Sequence, residues 1–412
     1  MPVRAQRQPD GQRDIGQWND GQWNDGQRDI DRRDNGQRDD GQRDIDRLRL
    51  IRTEGVGPIT YRRLMRRFVH PAAALAALPQ LARAGGRAVA ATIPSADQAR
   101  REIAATRKAG GRLVFLDDAD YPPLLALLDD APPCLVAAGD LSLARVGCVG
   151  LVGGRNASAN GQRMAESLAA ALAPVLPVVS GLARGIDTAA HRGALRAGRT
   201  IAVTAGGLDH PYPPENADLQ RQIAETGLVL TEAPMGTEPQ ARHFPRRNRV
   251  IAGLSLGIVV VEAAQRSGSL ITARLAQDAG REIFAVPGSP LDPRARGGND
   301  LIRQGAVLVE TAADILTNLP AEPAAPASRF SFAEPGAELD AGPGFSPLDA
   351  PPETPDTILS LLSPEGTELD ELMRRCHVPP ATAMAVLLEL ELAGRIQMLP
   401  GNRVALLPAG CE

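Results

Sequence analysis

The sequence predicts an α/β protein. Its centre is a Rossmann-like, doubly wound, mostly parallel sheet, with an N-terminal small helical domain and a C-terminal winged-helix domain. Three observations carry that expectation. Between Val146 and about Leu319, seven short apolar runs alternate with amphipathic stretches, the pattern of parallel strands covered by helices on both faces. Before them, apolar residues fall at helical spacing around Gly55-Val56-Gly57-Pro58. After them, three helical stretches precede a short hairpin turning at Gly401-Asn402.

In chain order, residues 1–45 are dominated by a degenerate five-residue repeat (GQRDI, GQWND) with little apolar content. Such a segment cannot bury enough surface to offset its ordering entropy, so disorder is expected, with an interaction tail as the functional alternative. Residues 46–109 read as a helical domain of the helix-hairpin-helix or SAM-like kind. Its G-x-G-P turn suits either a DNA phosphate or plain packing, and packing is the simpler reading. Residues 110–319 are expected to form an extended Rossmann-like domain, opening with edge strands at Leu113–Leu116 and Cys134–Ala138. A Pro- and Ala-rich linker is expected over 320–354, then the winged helix over 355–412. The third winged-helix helix, Ala-Thr-Ala-Met-Ala-Val-Leu-Leu-Glu-Leu-Glu-Leu-Ala, is apolar and acidic, which favours protein contact or a vestigial role over groove reading.

In a doubly wound sheet, ligands bind beyond the carboxyl ends of the strands. Those ends carry Gly153-Gly154-Arg155, Ser180-Gly181-Leu182-Ala183-Arg184-Gly185-Ile186-Asp187, Gly206-Gly207 with Tyr212-Pro213, and Ser267-Gly268-Ser269. Glycines let an anion approach the backbone, and helix N-termini supply N–H donors. The loop after the fourth run holds Arg242-His243-Phe244-Pro245-Arg246-Arg247-Asn248-Arg249, cationic within a chain of net charge −4. Lys108 is the sole lysine, so isolated arginines mean little here and only clusters count. Guanidinium forks match phosphate oxygens, and a phenyl face can stack an unpaired base. The bland alternative is an arginine-rich helix end paired with carboxylates.

Enzyme readings find no footing. The G-x-G-x-x-G spacing with a distal acid is missing, as is the P-loop, and no nucleophile accompanies Asp187 and His191. Asp187 reads as a helix cap. The four cysteines are scattered, giving neither a zinc pattern nor a disulfide framework, which fits the cytoplasm. The longest apolar run, near Ile251 to Ala264, is too short to span a bilayer.

With these residues in place, the chain closely resembles the bacterial DNA-processing protein A family (DprA, also called Smf). The resemblance runs from about Asp46 to the C-terminus and is densest over 146–309. It rests on Gly153-Gly154-Arg155 (the family's usual form is G-S-R), Ser180–Asp187, Ala190-His191 and Phe244–Arg249. Ser267–Ala273 and Phe284–Gly288 add to it. It implies a non-enzymatic single-stranded DNA-binding recombination mediator that takes no cofactor, dimerises through the Rossmann-like domain and loads RecA in natural transformation. Arg155, Arg242, Arg246, Arg247 and Arg249 are expected on phosphates, with Phe244 stacking a base. Gly153, Gly154, Ser180, Gly181, Arg184, Asn248, Ser267 and Ser269 complete the candidate set. The alternative is a Rossmann-like enzyme or sensor for a nucleotide ligand.

Overall fold

The structure, a computed structural model, describes residues 41–86, 92–320 and 354–407. The chain divides into two units, Met1–Ile45 and Asp46–Glu412. Of the first only residues 41–45, which are helical, are described, so the repeat expected to be disordered lies almost wholly outside the described residues. The same holds for the linker. Among the described residues no helix is long and apolar enough to cross a membrane, and no cluster of metal-ligating side chains occurs.

The second unit begins at Asp46, within helix α1 (41–51), and continues with α2 (Pro58–Phe68), α3 (Pro71–Ala84) and α4 (Ala96–Lys108). Proline opens α2 and α3, where its missing N–H costs nothing, and a Ser95–Gln98 capping box opens α4. Strand β1 (Arg112–Phe115), the short helix α5 (Pro123–Ala126) and strand β2 (Cys134–Gly139) lead into the sheet. Then come β3 (Cys148–Val152), α6 (Ala159–Leu172), β4 (Val178–Ser180), α7 (Ile186–Leu195), β5 (Thr200–Val203), α8 (Ala217–Thr226) and β6 (Leu228–Thr231). The second half adds α9 (His243–Leu254), β7 (Ser255–Val260), α10 (Gly268–Asp278), β8 (Glu282–Ala285), α11 (Arg296–Arg303), β9 (Val307–Leu308) and α12 (Ala312–Asn318).

These nine strands form one sheet in the order β1-β2-β6-β5-β4-β3-β7-β8-β9. From β6 to β9 every pairing is parallel, while β1 with β2 and β2 with β6 are antiparallel; β1 is an edge strand as expected, whereas β2, also expected at the edge, pairs on both sides because β1 covers it. The central strands are apolar throughout because both faces are covered. Cys148 and Val152 face one core cluster with Val250, Ile251 and Leu254 of α9, whereas Val149 and Leu151 face another with Leu168 and Leu172 of α6. Cys134 and Cys148 are buried in this core, which pushes both thiols up to about 12.

The C-terminal domain comprises α13 (Thr354–Ser360), β10 (Thr367–Glu368), α14 (Leu369–Cys376), α15 (Pro380–Leu392), β11 (Ile396–Leu399) and β12 (Arg403–Leu406). Its third helix, α15, is exposed at its start and buried over Val386–Leu392. Leu388 and Leu392 are buried in the cluster formed by Leu50, Tyr61, Leu64, Leu75 and Leu78 of the N-terminal helices. Burying each leucine contributes about 1.5–3 kcal/mol. Gly85, just past α3, permits the approach, since a Cβ there would lie 1.9 Å from the Glu389 carbonyl oxygen. The protein surface that this part of α15 contacts belongs to the same chain.

Candidate nucleic-acid interface

The parallel sheet reverses its winding between β3 and β7, so the crevice at its carboxyl edge lies between the loops that follow these strands. The loop after β3 is drawn tight. A Cβ on Gly153 would meet Ile186 at 2.4 Å, and the Gly154 N–H donates to the Glu262 carbonyl at 2.7 Å. The Glu262 side chain enters this crevice. It accepts from the Ser158 backbone N–H at 2.9 Å and from the Ser158 hydroxyl, and Gly161 leaves room for its carboxyl, 2.4 Å from where a Cβ would sit. The N-terminus of α6, which holds a phosphate in many nucleotide-binding sheets, is therefore filled by the protein's own carboxylate.

Beside the crevice stands Phe244. The stretch 242–249, expected in a loop, is instead the start of α9, with Arg242 at its cap position and Pro245 accommodated in the first turn. No side chain caps this end and no acidic residue lies in its first turn. Arg242 and Arg246 are exposed and Phe244 is half-buried. The exposed Arg155 brings its guanidinium carbon 4.7 Å from the Phe244 ring centroid, and that of Arg247 lies at 5.8 Å. Tyr212 meets the same ring edge-on, with centroids 5.5 Å apart and planes at 67°. Arg184 is exposed and paired with Glu215. His243 is pushed below its ordinary range by partial burial and by the neighbouring Arg242 and Arg246 charges.

Helical periodicity sends the other two arginines inward. Arg247 is buried 3.8 Å from Asp187, and a Cβ on Gly181 would overlap its guanidinium at 1.2 Å. Burial lowers Arg247 and raises Asp187, outweighing the attraction between them in both cases. Asp187 also accepts from the Ala183 N–H at 3.3 Å, although the cap position of α7 itself is Gly185. Arg249 donates to both Glu232 oxygens at 2.7 Å and lies 3.6 Å from Asp130. These two arginines, expected on phosphates, are committed to the interior because their helix face packs against the sheet.

The remaining candidates divide in the same way. The Ser180 hydroxyl donates to the Leu151 carbonyl at 2.6 Å within the core. Asn248 donates to the Gly268 carbonyl at 3.5 Å, and the Ser267 and Ser269 hydroxyls bond each other at 2.7 Å. His191 is fully buried, its Nδ1 2.8 Å from the Thr200 hydroxyl, and burial drops it to about 3. It therefore makes no acid–base pair with Asp187. Arg155, Arg184, Arg242 and Arg246 are exposed, as is Tyr212, whose sequence context indicates only a loop. Its signal was the scarcity of aromatics, 3% of the chain, at a strand-end loop.

Three family models match the chain. DNA recombination-mediator protein A covers residues 112–320, a DprA-like N-terminal HHH domain covers 41–105, and a DprA winged helix domain covers 345–402. Protein Smf of Escherichia coli is 40% identical over 302 residues, which is 71% of this chain and 77% of that protein. Protein Smf of Synechocystis is 38% identical over 310 residues, 70% and 78% of the two chains. The crystal structure of DNA processing protein A from Streptococcus pneumoniae aligns with a TM-score of 0.53 at 38% identity, covering 61% of this chain and 83% of that one.

Proposed function

This chain belongs to the DNA recombination-mediator protein A family, and from that membership we propose that the rim around Phe244 is a binding site for single-stranded DNA. The observation that carries the reading is the exposed cluster itself. An aromatic ring lies within cation–π distance of Arg155, with Arg242 and Arg246 exposed on the same stretch. Phosphates are attracted to the uncapped start of α9, and an unpaired base can stack on Phe244. Duplex DNA offers no free base face to such a ring.

The mononucleotide alternative is weakened by Glu262. A nucleotide phosphate at the start of α6 would have to displace a carboxylate held by two Ser158 donors. A strand that runs across the rim needs no such vacancy. Phosphate binding and base stacking require neither a nucleophile nor a metal, so the reading is of a binding protein, not an enzyme. Dimerisation through the Rossmann-like domain, transfer of the strand to RecA and a cytoplasmic location complete the proposal. They rest on the resemblance to the family.

The test is fluorescence anisotropy of a labelled single strand of about 20 nucleotides, over a salt series, with duplex and ATP as competitors. Single-strand preference is expected, with log K falling with log salt by about 0.7 for each phosphate neutralised. Displacement by ATP at comparable concentration would instead favour the nucleotide site.

A further inference from the structure

We propose that Tyr212 supplies a second base-stacking face, so that the site takes two neighbouring unpaired bases held apart from each other. The inference rests on the single-strand reading above and adds a residue to it. Tyr212 is 42% exposed, an unusual position for a large aromatic ring in a chain with so few. No hydrogen bond holds its hydroxyl among the described residues, so its exposure is not a by-product of satisfying a polar group.

The ring is presented by a fixed loop. The buried Asn216 donates to the Leu182 carbonyl and to the Thr188 hydroxyl, each at 2.8 Å. Gln220 donates to the Leu208 carbonyl at 2.9 Å, and Asp209 accepts from the Gly236 N–H, tying this loop to the one after β6. A loop already ordered loses little entropy when a ligand arrives, so its contacts appear nearly in full as affinity.

The geometry sets what can bind. Bases in a continuous stack lie parallel, whereas the Phe244 and Tyr212 planes meet at 67° with centroids 5.5 Å apart. One base on each ring must therefore leave its neighbour's stack. Flexible single strands do this readily, and a duplex does not. Arg155, exposed over Phe244, keeps a cation within reach of the phosphate that flanks the bound bases. The buried Arg247 also lies within 5.8 Å of the same ring's centre.

The experiment compares the full chain with Tyr212→Ala and Tyr212→Phe, using two 20-residue ligands. One is an ordinary mixed-sequence single strand and the other an abasic deoxyribose-phosphate strand. Stacking is worth about 1–3 kcal/mol per base, so Tyr212→Ala should weaken the ordinary strand roughly 5- to 150-fold. It should leave the abasic strand unchanged, and Tyr212→Phe should bind both as the parent does. Equal loss on both strands, or no loss on either, overturns the inference while leaving the single-strand reading intact. So does a Tyr212→Ala change confined to oligomeric state in sedimentation. If the parent protein binds neither strand, the single-strand reading fails and this inference with it.

Discussion

Asp187 and Arg247 lie 3.8 Å apart with both side chains more than nine-tenths buried, and the Arg247 guanidinium carbon is 5.8 Å from the centre of the Phe244 ring. The pair is costly to desolvate, and removing one member strands the other. Arg247→Ala or Asp187→Ala is expected to lose about 3–5 kcal/mol in denaturant unfolding. Arg247→Met combined with Asp187→Leu should recover most of that loss. Were Arg247 instead a phosphate ligand, Arg247→Ala would flatten the salt dependence of DNA binding with little effect on stability.

The buried His191 makes a pH prediction. Its folded value, about 3, lies below the ordinary 6.5, so the native state refuses a proton that the unfolded chain accepts. The stability it contributes is complete above about pH 6.5 and falls as the pH drops towards 3, at up to about 1.4 kcal/mol per unit. Denaturant midpoints measured at pH 7.5 and 4.5 should diverge, and His191→Gln should narrow that gap. An unchanged gap would assign the acid sensitivity to other groups.

Exposed and buried arginines should separate in binding data. Arg155→Ala, Arg242→Ala and Arg246→Ala are each expected to reduce the salt slope by about 0.7 without shifting the unfolding midpoint. Arg249→Ala, which abandons Glu232 and Asp130, should keep the slope and lose roughly 1.5–3 kcal/mol of stability. A reversed pattern would mean that α9 presents its other face.

Glu215 neutralises Arg184 at the border of the rim. Its carboxyl is held below the usual range by the hydrogen bond from Arg184, and the arginine is raised in turn. Glu215→Gln should release this cation to a passing phosphate, tightening single-strand binding at low salt and steepening the slope by about 0.7. Equal affinity in both proteins would place Arg184 outside the path of the strand.

Much of this arrangement could be read from the chain. Runs such as Cys148–Val152 are apolar at every position because two helical layers cover them, and glycines at their ends mark the ligand edge. The division of labour among the arginines was not legible. Arg246 and Arg247 are adjacent, but on a helix adjacent side chains point about 100° apart, and which one faces the sheet depends on distant residues such as Asp187. Glu262 was equally silent, since a carboxylate that fills a helix end looks like any other until Ser158 is brought to it from 104 residues away. Tyr212 stood in a recognised loop, yet its value depends on meeting Phe244 in space.

The docking of α15 on the N-terminal helices has a consequence for how the molecule survives cleavage. The chain closes on itself: its C-terminal domain is fastened to the helices before the sheet by Leu388, Leu392 and the close contact at Gly85, independently of the peptide that leads to it. A protease cut between residues 320 and 354 would sever the covalent route and leave this clasp intact. The two fragments should then co-migrate in gel filtration and part only under conditions that melt the N-terminal helices.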